Sequence, residues 1–217
     1  MGHTEGNELS EASQSTRERL LDAARELFTT AGYHATTTPM LATRAGVAEG
    51  TIYRHFPSKQ ALLNAAYQET QRWGTEMVHG LAGATARSVE ERLGELGRMC
   101  IDAAERDPAR ARLLLTWRET RELDDSSRAA ATEFRDGLEH LIAVGKQAGS
   151  VRAGVVELWT SVWITLIAFA AEKVASREWT ASHPHTGSTL DAAWEAIAWR
   201  PISLGAVPSP PPAEGSS

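Results

Sequence analysis

The 217-residue chain has a single cysteine, Cys100. It therefore forms no internal disulfide, and without a second thiol at CxxC spacing it offers no cysteine pair to a metal. A reducing cytoplasm fits. The chain also lacks a long hydrophobic run. Its most apolar stretch, around Trp159 to Ala171, is about half to two-thirds of the roughly 20 residues needed to cross a bilayer, and Glu157 and Glu172 flank it. No membrane anchor is expected. The opening MGHTEGNELSEASQST has neither the basic nor the apolar region of a secretory signal, and residues 1–14 are expected to be a disordered tail. The Pro/Ser-rich end, 205–217, is expected to be another.

Signatures of catalysis are missing too. There is no nucleophile elbow and no HExxH, and GKQAGS (145–150) lacks the P-loop order of glycine and lysine. His183-Pro184-His185 sits in the linker-like TASHPHTGST without carboxylate or cysteine neighbours, so no metal site is assigned. Cys100 lies on an apolar stripe, where a buried, inert thiol is the default. No catalytic residue and no cofactor is expected. No segment alternates with the period of a strand, so the fold class is all-α.

What is present is enough apolar residue for a core, 42% with a mean hydropathy of −0.31, and an uneven charge. The net charge of −6 argues against a polyanion partner. Yet between Thr16 and Arg72 seven Lys/Arg face five Asp/Glu, a balance of +2 that leaves −8 elsewhere. A weakly basic segment on an acidic body is where a polyanion-binding face belongs.

That segment reads as four helices. Leu20, Leu21, Ala24, Leu27 and Phe28 form a helical stripe over roughly 16–31, with Ser15 and Glu18 as a capping box and Gly32 as a left-handed stop. Thr38-Pro39 opens a second, two-turn helix that carries Leu41, Ala42 and Ala45 inward and stops at Gly46. A third, short helix holds TIYRHF (51–56), where Ile52 and Phe56 share the inward face and Pro57 prevents continuation. Ser58 caps a longer fourth helix through Leu62, Leu63, Ala66 and Tyr67. Two short helices joined by a tight glycine turn, with a longer helix on each side, make a helix-turn-helix. Thr51, Tyr53, Arg54 and His55 then cover the faces that would meet phosphates and base edges.

The run TTTPMLATRAGVAEGTIYRHFPSKQALL resembles the N-terminal signature of TetR-type (tetracycline-repressor-like) transcriptional regulators, in register at about a dozen positions over roughly 16–67. The resemblance implies phosphate contacts from Thr38, Tyr53 and Lys59, approach of Thr51, Arg54 and His55 to bases or backbone, and entry of Ala48, Glu49 and Gly50 into the groove. Arg44 is a further candidate backbone contact. Lys59 at a helix N-terminus is also a natural phosphate site on physical grounds. Pro39 and Met40 depart from the pattern, standing where many relatives carry polar or basic residues, and Glu49 adds repulsion from phosphate.

The remaining chain reads as helices with no such motif. One stripe holds Leu93, Leu96, Met99, Cys100 and Ala103; a longer helix, from about 127 to 147, carries Phe134, Leu138, Leu141 and Ile142. The segment 155–176 is apolar over most of its circumference and must be covered on two sides. A last helix over about 189–199 presents Leu190, Ala193, Trp194, Ile197 and Ala198. The resemblance implies that these final two helices form a dimer interface, with Leu158, Val162, Phe169, Leu190, Trp194 and Ile197 in it; the same periodicity also suits an intramolecular core. All seven tryptophans lie at or beyond Trp73. Met99, Trp117, Phe134 and Trp163 could line a cavity for an apolar or aromatic effector, as helix bundles allow, although each also suits plain core packing.

The expected organisation is a three-helix helix-turn-helix domain over 15–60 and a helical ligand-binding and dimerisation domain over 61–204. The expected function is a cytoplasmic, homodimeric, ligand-responsive repressor binding a palindromic DNA operator. The alternative is a small-molecule-binding or scaffold protein that keeps the helix-turn-helix as a fold element.

Overall fold

Cap chemistry sets most of the helix boundaries in a computed structural model of the chain. The structure describes the backbone of residues 3–84, 86–117 and 121–200, and side chains from residue 15 onward. The tail expected over 205–217, and the end of the expected body over 201–204, lie outside them. Among the described residues there are nine α-helices and no strand; the one β-bridge ties Val151, midway along the body, to Ala198 just past the last helix.

The first helix, α1, runs His3–Thr30, and Gly32 follows in the left-handed region (φ 88°). The start expected at Ser15 is therefore an interior position, and residues 3–14 are helical instead of forming part of a tail. Glu, Ala and Leu in this stretch are good helix formers, and no proline interrupts it. Helix α2 is Thr38–Ala45. Its cap is Thr37, one residue before the expected start, whose hydroxyl accepts the Met40 N–H at 3.4 Å. Gly46 ends the helix at φ 65°, the conformation for which glycine pays no steric penalty. Helix α3 is Glu49–His55, closed by the Phe56 N–H donating to the Ile52 carbonyl at 2.8 Å. Helix α4 is Lys59–Ala82, and the Ser58 hydroxyl accepts the Ala61 N–H at 3.0 Å.

The body follows with α5 (Val89–Arg106), α6 (Pro108–Leu115), α7 (Asp125–Gln147), α8 (Val156–Ala175) and α9 (Pro184–Ile197). A full Ser88/Glu91 capping box opens α5. Helix α9 starts well before the expected position: His183 is its cap and Pro184 occupies the first turn, so the supposed linker around the two histidines is the helix's own beginning. His183 stacks on Trp179 with ring centroids 5.6 Å apart.

Two apolar cores result. The first joins Leu20, Leu21 and Phe28 of α1 to Leu41, Ile52, Leu62 and Leu63, and Leu113 of α6 completes it. The second is built from α5, α7, α8 and α9 around Leu96, Leu138, Ile167 and Ile197, with Met77, Val78 and Leu81 from the far half of α4. Helix α8, at 20 residues, is long and apolar enough by composition to cross a membrane, a stronger pattern than the sequence run implied. Here it packs against α5, α6, α7 and α9. Charge joins the halves as well, since Glu69 of α4 faces Arg25 of α1 at 3.6 Å and Arg110 of α6 at 3.4 Å.

Some helix approaches are close enough to require glycine. A Cβ on Gly74 of α4 would lie 2.7 Å from Leu114 Cδ1 and 3.0 Å from Phe134 Cδ2. On Gly145 of α7 it would lie 2.7 Å from Val151 Cγ2 and 3.0 Å from Val89 Cγ1, and valine has no flexible end with which to yield. On Gly80 it would meet nothing within 4 Å. Gly145→Ala is expected to destabilise the protein by about 1–3 kcal/mol through overpacking, whereas Gly80→Ala should stabilise it by about 0.5–1 kcal/mol. Urea unfolding of the two variants checks the opposite signs.

Candidate nucleic-acid interface and ligand cavity

Burial divides α3 into an inner and an outer face. Ile52 and the closing Phe56 are 1% and 4% exposed, anchored among Leu20, Leu41 and Leu63 in the first core. Ala48, Glu49, Gly50, Tyr53 and Arg54 are exposed, and Thr51 and His55 are half-buried. Tyr53, with about half of its surface open, and Met40 of α2 are two of the few large apolar-bodied side chains left exposed. Thr38 is half-buried at the start of α2.

Part of the head's positive charge is already engaged. Arg44 pairs with Glu26, and that hydrogen bond holds its guanidinium above the ordinary arginine range. Arg25 pairs with Asp22 and Glu69, and Arg17 lies 3.9 Å from Glu69. Among the described residues, Arg54 is the one cation of α3 other than a histidine, and it has no carboxylate partner.

Lys59 is placed differently from its sequence reading. Its ammonium donates to the carbonyls of Tyr33 and Thr36, both at 2.8 Å, and lies 4.2 Å from the centre of the Tyr33 ring. Two of three N–H groups are thus spent holding the turn between α1 and α2 against the start of α4, which leaves one for a phosphate. Helical periodicity carries no signal for this contact, because the carbonyls that receive the ammonium are backbone atoms 23 and 26 residues away.

In the body, a cavity of about 250 Å³ opens between α4, α6, α7 and α8. Trp117 and Phe134 line it, as expected, beside Leu114 and Ile164. Met99 and Trp163 do not. Trp163 is 2% exposed on the α8 face that packs toward Gly97 of α5, whereas Thr160, Ile164 and Ala168 face the cavity; Met99 is half-buried against the second core. The sequence reading missed the polar wall made by Tyr67, Gln71 and Arg135. Its one legible sign is Gln71 at an inward position of α4, four residues after Tyr67.

The expected dimer face also divides. Ile197 is fully buried within the chain and serves the intramolecular core, whereas Leu190 packs over Gly97 and stays half-buried. Trp194 and Val162 are half-buried. Leu158 and Phe169 remain about half exposed, and with Val155 they form an outward apolar stripe on α8. Cys100 is buried, and burial pushes its thiol up to about 12, which keeps it protonated.

A short helix fixed by two buried anchors, with its polar face outward after a glycine turn, defines a helix-turn-helix protein whose body is a helical bundle. The family model for bacterial regulatory proteins of the tetR family matches residues 20–66. Over 144 residues, 65% of this chain and 71% of the relative, the chain is 31% identical to the nucleoid occlusion factor SlmA of Marinobacter nauticus. Over 136 residues, 61% of this chain, it is 38% identical to the HTH-type transcriptional repressor KstR of Mycobacterium tuberculosis, of whose length it spans 57%. A TetR family transcription regulator from Marinobacter aquaeolei shares the fold, with a TM-score of 0.74 over 88% of this chain and 100% of that one at 18% identity. The chain belongs to the tetR family of bacterial regulatory proteins.

Lys59→Met is expected to lower stability by about 1–3 kcal/mol, because it leaves two carbonyls without their donor. A side chain serving only as a phosphate contact would leave urea unfolding unchanged. Arg54→Ala should leave stability within about 0.5 kcal/mol of wild type, as an exposed residue outside any network.

Proposed function

We propose that the chain is a cytoplasmic repressor that binds a palindromic DNA operator as a homodimer and is released by a small molecule. The observation that carries this reading is the two-faced α3, with Ile52 and Phe56 sealed in the core and Tyr53 and Arg54 outward and unpaired by any carboxylate among the described residues. Such a helix offers a cation and a phenol to a groove while its register is held from behind. Of the residues implied by resemblance, Thr51, Arg54 and His55 carry the readout; Ala48, Glu49 and Gly50 form the open approach to it. Thr38, Tyr53 and the remaining N–H of Lys59 supply phosphate contacts. Arg44 contributes less, because Glu26 already neutralises it. The repressor name of the mycobacterial relative supports the sign of regulation.

One recognition helix reads only a few base pairs, so specificity calls for two half-sites and a twofold dimer. The exposed apolar stripe of α8, Val155, Leu158 and Phe169, is the surface proposed for that contact, with Val162 and Trp194 at its margin. The effector is assigned to the cavity beside Trp117 and Phe134.

Selection of bound duplexes from a random pool tests the core of this reading: an inverted repeat is expected, and recovery of no preferred sequence would remove it. On the selected operator, Arg54→Ala should change base preference at one position in each half-site by about 1–3 kcal/mol. If it weakens all sequences equally, Arg54 contacts phosphate only. Phe169→Glu should give a folded monomer by light scattering, since an unpaired charge in an apolar interface costs several kcal/mol. A dimer that survives the change places the contact elsewhere.

A further inference from the structure

The cavity of the body is apolar on one side only. Leu114, Trp117 and Phe134 face a wall made of the Tyr67 phenol, the Gln71 carboxamide and the Arg135 guanidinium. Tyr67 and Gln71 stand one turn apart on α4, and Arg135 follows Phe134 on α7, so two helices aim their polar groups at one space. Gln71 is 2% exposed and Tyr67 7%, yet neither side chain makes a hydrogen bond, and Arg135 makes neither a hydrogen bond nor an ion pair among the described residues. They are also absent from the buried polar atoms sealed off without a partner, as groups bordering open space must be.

With no partner inside the protein, these groups are left to water or to a ligand in the cavity, and side chains as buried as Gln71 and Tyr67 otherwise almost always find a protein partner. All three can donate: one O–H, an amide N–H pair and the guanidinium fork. No Asp or Glu lines the cavity, so its one formal charge is positive. Arg135 also acts electrostatically on Tyr67: burial raises the phenol's pKa, and the nearby cation opposes that rise. A cluster of donors around one cation, opposite an aromatic and aliphatic wall, is complementary to an anionic head on an apolar body. The volume, about 250 Å³, is below the roughly 300–1,000 Å³ of drug-sized sites, so the ligand is small.

We infer that this cavity takes a small organic carboxylate, its carboxyl group held by Arg135, Gln71 and Tyr67 and its aromatic or short aliphatic body laid against Trp117, Phe134 and Leu114. This narrows the effector assignment made above and rests on it, giving the expected apolar or aromatic effector a charged head. Arg135 is exposed at the cavity's edge, so its guanidinium meets the ligand where solvent also reaches.

The test uses three probes of one shape: 3-phenylpropanoate, 3-phenylpropanamide and 3-phenylpropylamine. Binding to the full chain is followed by tryptophan fluorescence and by calorimetry, and release of the selected operator is followed in parallel. The acid is expected to bind at least about tenfold more tightly than the amide, and the amine not measurably, because hydrogen bonds to a charged group exceed neutral ones. Arg135→Gln should reduce the acid to the affinity of the amide, and Gln71→Leu should weaken it without abolishing the preference for charge. Equal binding of acid and amide, or a preference that survives Arg135→Gln, would overturn the anion site; if the amide still released operator, the effector role of the cavity would stand. Preferential binding of the acid without release of operator would keep the anion site and remove the effector role. Failure of all three probes to bind overturns the assignment of this ligand class.

Discussion

Helix α4 runs unbroken through both cores, and that constraint organises much of the rest. Helix α4 begins at Ser58 and Lys59, where it grips the turn between α1 and α2, and buries Leu62 and Leu63 in the first core. Two turns later Tyr67 and Gln71 face the cavity, and the last third buries Met77, Val78 and Leu81 in the second core. At 1.5 Å per residue such a rod spans the molecule without a joint. A change in how α6 and α7 sit against its middle therefore has to be absorbed at one end or the other. Glu69, shared between arginines of α1 and α6, sits beside that midpoint and couples the same elements by charge.

How legible this was in the sequence depends on the range of the interaction concerned. Local chemistry was readable: Pro39 and Gly46 bound α2, Ser58 caps α4, and Ile52 with Phe56 anchor α3. The departures at helix starts have local causes as well. Thr37 and Thr38 offer the same hydroxyl, and Pro184 was read as a loop residue when it equally opens a helix. The N-terminal stretch shows the limit of reading polarity as absence of structure, since Glu and Ala favour a helix whether or not it has a core to join.

Nonlocal facts were not readable. Periodicity places Trp163 and Ile164 one residue apart without saying which faces a cavity, because on an apolar-all-round helix both directions look alike. The same ambiguity put Ile197 on a dimer face although it is fully buried in the chain's own core. The polar wall was hidden because it is assembled from residues more than sixty positions apart, Tyr67 and Gln71 against Arg135, each unremarkable alone. The charge balance of the head misled in another way: the basic excess is real, but Arg17, Arg25 and Arg44 face neighbouring carboxylates, whereas Arg54, on α3 itself, faces none among the described residues.

Gly74 has a consequence for the cavity that it does not itself line. Its missing side chain lets α4 sit where a methyl group would press on Leu114 and Phe134, and both of those side chains are cavity walls. The bore available to a ligand is therefore gauged by a residue no ligand touches. A larger residue at 74 would act as a shim, driving the two walls inward or levering α6 and α7 away from α4, and the cavity would shrink or open without any change in its chemistry.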